Sequence, residues 1–183
     1  AGSTAALVLA RRGFDALLLD KASFPRPKLC GGLLTWKSMR LLERLHGRTT
    51  DDLTHEGVVD TVAGGFALHL GGHPLIRDRL AYPFHLVRRA RFDAFLLDQA
   101  LTAGARILHH HEIIGCSPQG YVRTKQGEFR GRFTLGADGV NSAVRKCFGL
   151  CRERWQRNLA AAIEITVPHE AAPRITDVPE LHA

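Results

Sequence analysis

Apolar positions along the chain follow different periods in different stretches, and each period predicts a different element. Residues Ser3 to Arg12 are crowded with Ala and Leu, strong helix formers, and Gly13 follows where a helix would close in a left-handed cap. The run DALLLD (15–20) is short and apolar throughout, the pattern of a strand buried in a parallel sheet. Thr35 to Leu45 places Met39, Leu41, Leu42 and Leu45 at helical spacing, with Thr35 as N-cap. From Val58 to Val87, β-like runs (GVVDTV, GFALHL, FHLV) alternate with glycine pairs at 64–65 and 71–72, which predicts a small antiparallel sheet. Helical spacing returns over Arg91 to Ala103 through Phe92, Phe95, Leu96 and Leu101. After Gly104, ARILHH reads as a strand; HEIIGCS, GYVRTK and EFRGRFTLGAD read as hairpin strands. Asn141 to Phe148 reads as a short helix and Leu159 to Val167 as a strand. Residues 21–34, punctuated by Pro25, Pro27, Gly31 and Gly32, read as a loop.

Composition narrows the class. At 45% hydrophobic residues the chain can bury a core, and disorder is excluded for most of its length. The longest apolar stretches fall far short of the roughly 18 residues of a membrane span, and no signal peptide is expected. The chain opens without Met and reads as a piece of a longer one. The net charge of +7 is spread over the sequence without a nucleic-acid motif, so a solvated basic surface is expected rather than a nucleic-acid partner. Four cysteines lack a C-x-x-C pair, which points to reduced thiols in a cytoplasmic protein.

Three stretches carry candidate chemistry. The opening AGS precedes a helix, then a strand ending in Asp20. A dinucleotide-binding βαβ unit needs this order: Gly2 lets backbone approach a pyrophosphate, the helix N-terminus around Ser3 offers N–H groups, and an acid about 20 residues on accepts from a ribose hydroxyl. FPRPKLCGG (24–32) sets Cys30 beside Gly31 and Gly32, with Lys28 as a nearby cation that would favour a thiolate. The bland reading of that loop is a surface turn with a buried thiol. GADGVNSAVR (136–145) is expected to follow a strand and open a helix capped by Asn141 or Ser142. Gly136 and Gly139 permit a tight turn, Asp138 could accept from ligand hydroxyls, and Arg145 sits one turn on.

Other clusters read as structural. His109, His110 and His111 cannot converge on one metal from a strand, since neighbours point to opposite faces. Cys147 reads as core and Cys151 as incidental. Trp36 and Trp155 lack aromatic partners at stacking intervals and read as packing residues.

Taken together, these strings resemble a known family. GADGVNSAVR is similar throughout to the second FAD fingerprint of the p-hydroxybenzoate hydroxylase-like flavoproteins. KLCGG resembles a stretch of their geranylgeranyl reductase branch. VRRARFDAFLLDQALTAGARI is similar to a family segment in which Arg89 falls at an FAD-contacting Arg. The resemblance implies an α/β fold: a Rossmann-like FAD-binding domain (1–54 and 85–150) interrupted by a smaller β-rich substrate domain (55–84 and 155–183). It implies FAD as cofactor, with NAD(P)H or another reduced donor, and a small apolar substrate. Gly2, Ser3, Asp20, Lys28, Cys30, Gly31, Gly32, Arg89, Asp138, Gly139 and Arg145 would bind the cofactor, and Cys30 would be the candidate catalytic thiol. The expected activity is reduction of carbon–carbon double bonds in a prenyl-type substrate, with peripheral membrane association to reach a lipid. The alternatives are a monooxygenase or halogenase of the same fold, or an inactive FAD-binding remnant.

Overall fold

The computed structural model describes residues 1–150 and 179–182. The chain forms two compact units, one of residues 1–26 with 93–162 and one of 27–92 with 163–183. The stretches 27–54 and 85–92 thus pack with the central hairpin. The expected strand at 159–167, Trp155 and Cys151 lie outside the described residues. Among the described residues, no helix is long and apolar enough to cross a membrane.

The first unit begins with α1 (Gly2–Ala10) and β1 (Leu17–Leu19). Beyond α4 (Arg89–Thr102), β5 (Arg106–Leu108) returns to pair with β1 in parallel, Leu17 opposite Arg106 and Leu19 opposite Leu108. Parallel pairing demands a crossover, and here it encloses the whole hairpin region. Both helices end in the same way. Gly13 (φ +79°) and Gly104 (φ +99°) turn left-handed, and Phe14 and Ala105 donate back to Leu9 and Ala100 at 3.1 and 3.0 Å. That closure satisfies the last helical carbonyls and aims the chain into a strand. Leu7, fully buried, packs with Ala6, Ala16, Ala100 and Ala105; burying such a leucine contributes about 1.5–3 kcal/mol.

The α4 stripe differs from the expected one: Leu97 and Ala100 are buried whereas Leu101 is exposed. The same unit carries an antiparallel sheet of β6 (Ile113–Cys116), β7 (Tyr121–Thr124) and β8 (Glu128–Arg130), then α5 (Ala143–Cys147). The strand expected to run into GADG stops at Arg130. Residues 131–139 have no ladder partner among the described residues, and Phe133 and Leu135 stand exposed.

The second unit is built on a sheet of order β2-β4-β3-β9: β2 (Leu33–Leu34), β4 (His73–Leu86), β3 (Thr61–Leu70) and β9 (Glu180–His182). The three β-like runs are two long strands. Gly71 and Gly72, both left-handed, make the two-residue turn between them, and the other glycine pair sits at a register shift within β3. Ala63, Gly65 and Ala67 alternate on the buried face. α2 (Trp36–His46), closed by left-handed Gly47, packs against β2 and β4, and Thr50 at the start of α3 (Thr50–His55) meets His85 of β4 at 3.1 Å. The buried face of α2 is Met39, Leu42 and His46, while Leu41 is exposed. β2 occupies part of the expected loop, and α3 was absent from the sequence expectation; Thr49 and Asp52 cap it reciprocally.

Candidate functional site

In the first unit the opening turn and the late glycine bend are neighbours. A Cβ added to Gly2 would lie 3.4 Å from that of Ala137 and 3.8 Å from Leu18 Cδ2. The first turn of α1, with Gly2 and Ser3, has neither a side-chain cap nor an acidic residue. Backbone N–H groups and the positive end of the helix dipole are therefore presented at this notch, the chemistry that binds a phosphate. Asp20 follows β1 directly. Its backbone is held by Leu108 O and His111 N, and its Oδ1 accepts from Ala22 N at 2.9 Å. The other carboxylate oxygen takes no partner among the described residues and suits a ligand hydroxyl.

The GADG bend is largely self-contained. Asp138 accepts from Ser142 Oγ on one oxygen, and from Ala143 N (2.6 Å) and Val144 N (3.2 Å) on the other. Ser142, the cap of α5, accepts from Arg145 N at 2.9 Å, and Arg145 Nη2 donates to Val140 O at 2.9 Å. Burial works against the charge on Asp138. The Ser142 hydroxyl and the Val144 and Ala143 N–H groups outweigh it and hold the carboxyl below its ordinary range. Asp138 and Arg145 thus build the bend before they meet any ligand. Gly139 turns left-handed (φ +79°), and a Cβ on Gly136 would press within 2.9 Å of Val144 Cγ1.

The remaining candidates gather in the second unit, around the KLCGG loop and the start of α4. Gly32 O accepts from Val87 N at 2.9 Å; Gly32 is left-handed (φ +71°), and a Cβ there would sit 1.9 Å from Val87 O. Only glycine closes this corner, whereas Gly31 has open space around its Cβ position. The corner brings Arg89 to Cys30. The Gly32 N–H and then the Arg89 guanidinium lower the Cys30 pKa; the charge of Lys28 contributes least. The cation expected from sequence is therefore secondary to one that folding supplies, and Cys30 is exposed rather than a buried thiol.

Sequence reasoning missed the clamp beside this corner. Asp60 accepts from Arg88 through its backbone N (2.9 Å), Nε (3.1 Å) and Nη2 (2.8 Å), with Arg91 Nη1 at 3.8 Å. Arg91 also donates to Gly57 O at 2.6 Å. The Arg88 guanidinium holds the Asp60 carboxyl below its ordinary range. Fixing the residues on either side orients the first turn of α4, which carries Arg89. No local spacing announces Asp60, because its partners come 28 residues later.

The other clusters resolve as follows. β5 ends at Leu108, and the histidines form a turn in which His110 is left-handed (φ +62°), His109 Nδ1 meets Ala22 O and His111 Nδ1 meets His109 O. Cys147 is exposed and not core. Trp36 has a stacking partner after all: Tyr82 on β4, at 4.8 Å between ring centres, with both rings partly exposed.

These features fit an FAD. The notch at Gly2 has the chemistry that suits a pyrophosphate, and Asp20 that of a ribose partner. Comparison with known proteins agrees. Residues 1–177 match the model of a family described as FAD binding domain. The protein Mbar_A1602 of Methanosarcina barkeri (strain Fusaro / DSM 804) is 30% identical over 172 residues, covering 92% of this chain and 41% of that protein. The FAD-dependent monooxygenase ntnA of a Nectria species is 31% identical over 173 residues, 85% of this chain and 21% of that protein. The solved structure of 2-methyl-3-hydroxypyridine-5-carboxylic acid oxygenase, in its tetrameric form, superposes with a TM-score of 0.69 at 25% identity, covering 80% of this chain and 39% of that one. The chain thus spans about two fifths or less of the length of these relatives. With the family model covering nearly all of its length, the chain belongs to the FAD binding domain family.

Proposed function

We propose that the chain is the cofactor-holding part of an FAD-dependent monooxygenase acting on a small apolar substrate. The reductase of prenyl double bonds expected from KLCGG has less behind it than its alternative: an FAD-dependent monooxygenase and an oxygenase structure both align over most of this chain. The observation that supports the reading is the proximity of Gly2 to the GADG bend, where a Cβ at Gly2 would lie 3.4 Å from that of Ala137.

When bound, FAD supplies the redox chemistry, passing electrons from NAD(P)H or another reduced donor to dioxygen. The chain's own residues bind and orient. Backbone N–H groups at Gly2 and Ser3 hold the pyrophosphate, Asp20 holds the ribose, and the bend fixed by Asp138 and Arg145 offers its backbone at Gly139. In the second unit, Lys28, Gly31, Gly32 and Arg89 are the expected cofactor groups, with Cys30 as the expected catalytic thiol. The test uses the protein with its natural flanking sequence. NAD(P)H-dependent oxygen uptake, stimulated by an apolar aromatic substrate that gains one oxygen atom, is the expected result. Saturation of a prenyl substrate without oxygen uptake would restore the reductase. A colourless protein after FAD addition would sink both.

A further inference from the structure

We infer that Cys116 and Cys147 form an oxidisable dithiol behind the GADG bend, which closes to a disulfide when the protein meets a low-molecular-weight disulfide such as oxidised glutathione. Cys116 is the last residue of β6, half-buried, and its register partner is Val122 on β7. Its Sγ lies 4.0 Å from Val144 O, to which it donates. Val144 and Cys147 are three residues apart on α5 and so share a face. That face sets Cys147 beside Cys116, and the neighbouring Cys147 thiol is one cause of the raised Cys116 pKa. A disulfide requires the two Cα atoms to stand within about 7 Å, which the packing of α5 against β6 makes the feature to test.

The two cysteines differ in a way that orders the reaction. Cys147 is exposed and can meet a solvent oxidant. Burial, then the neighbouring Cys147 thiol, pushes the Cys116 pKa up to about 11, with the charge of Asp138 adding to the effect, so Cys116 waits as a thiol. The Cys147 thiolate attacks one sulfur of the glutathione disulfide, whose S–S bond breaks and releases one glutathione thiolate. Cys116 then gives its proton to solvent, and its sulfur attacks the Cys147 sulfur of the mixed disulfide, expelling the second glutathione thiolate. Two protein thiols are oxidised to one disulfide, and one glutathione disulfide is reduced to two thiols. The new bond ties the C-terminal end of α5 to β6, while the other end of that helix holds the Asp138 bend. It also closes the loop between residues 116 and 147, which constrains the unfolded chain.

The inference does not depend on the proposed oxygen chemistry. The protein, loaded with FAD, is equilibrated in glutathione buffers of rising oxidised fraction, quenched in acid, alkylated and digested without reduction. The expected product is a single species joining the peptides that contain Cys116 and Cys147, lighter than their sum by two hydrogens, with a rise in Tm reversed by dithiothreitol. In Cys147→Ser the species disappears and Cys116 is recovered alkylated. A stable glutathione adduct on Cys147 with Cys116 alkylated, or a Cys147–Cys151 link in its place, would overturn the proposal.

Discussion

The GADG bend and the KLCGG corner are both tight, glycine-bearing turns, yet they are held by opposite means. In the bend, the hydrogen bonds that tie Asp138, Ser142 and Arg145 to one another and to Val140, Ala143 and Val144 span three to six positions. At the corner, Arg88 and Arg91 reach across 28 and 34 residues to Asp60 and Gly57, and the Gly32–Val87 bond spans a longer stretch still. A local turn carries its own instructions and forms wherever its sequence is placed. A corner assembled from distant segments exists only once the sheet has brought them together, and its chemistry depends on that assembly.

The difference is most easily broken at Gly32. Gly32→Ala should cost about 3 kcal/mol or more, because a Cβ meets the Val87 carbonyl and the backbone is left-handed. Gly31→Ala, with open space, should stay within about 0.5 kcal/mol. Urea unfolding of both variants checks the pair; equal losses would mean that the corner is not closed as described.

Asp138→Asn probes the local turn and should cost about 1 kcal/mol, the scale of a lost helix cap. Its pH signature is specific. The folded carboxyl lies below its ordinary value, so below about pH 4 the unfolded chain takes up a proton that the folded one refuses. Stability supplied by this group is present above that pH and is lost as pH falls through the lowered folded pKa. Unfolding curves from pH 6 to 2 should therefore fall less steeply in Asp138→Asn than in the parent chain. Identical acid limbs would contradict the hydrogen bonds assigned to Asp138.

The smallest effect concerns chemistry rather than stability. Alkylation of Cys30 by iodoacetamide should reach its half-maximal rate below the ordinary thiol value of about 8.5. Arg89→Ala should raise that midpoint without restoring it fully, because the Gly32 N–H contributes more than the guanidinium. A midpoint that does not move would show that the corner fails to bring Arg89 to Cys30.

The sequence by itself determined the elements whose causes are local. The helix ends at Gly13 and Gly104, the hairpin turn at Gly71–Gly72 and the Ser142 cap rest on contacts within a few residues, so composition and spacing suffice to show them. The tertiary structure decided what depends on distant neighbours. It replaced Leu41 by His46 on the buried face of α2, stacked Trp36 on Tyr82, put Arg89 rather than Lys28 foremost among the cations at Cys30, and supplied Asp60 as a clamp. It also left residues 131–139 without a ladder partner among the described residues, although their alternation reads as a strand. The physical reason is the same in each case: period and propensity describe what a segment can do, while a partner across the fold decides whether it does so.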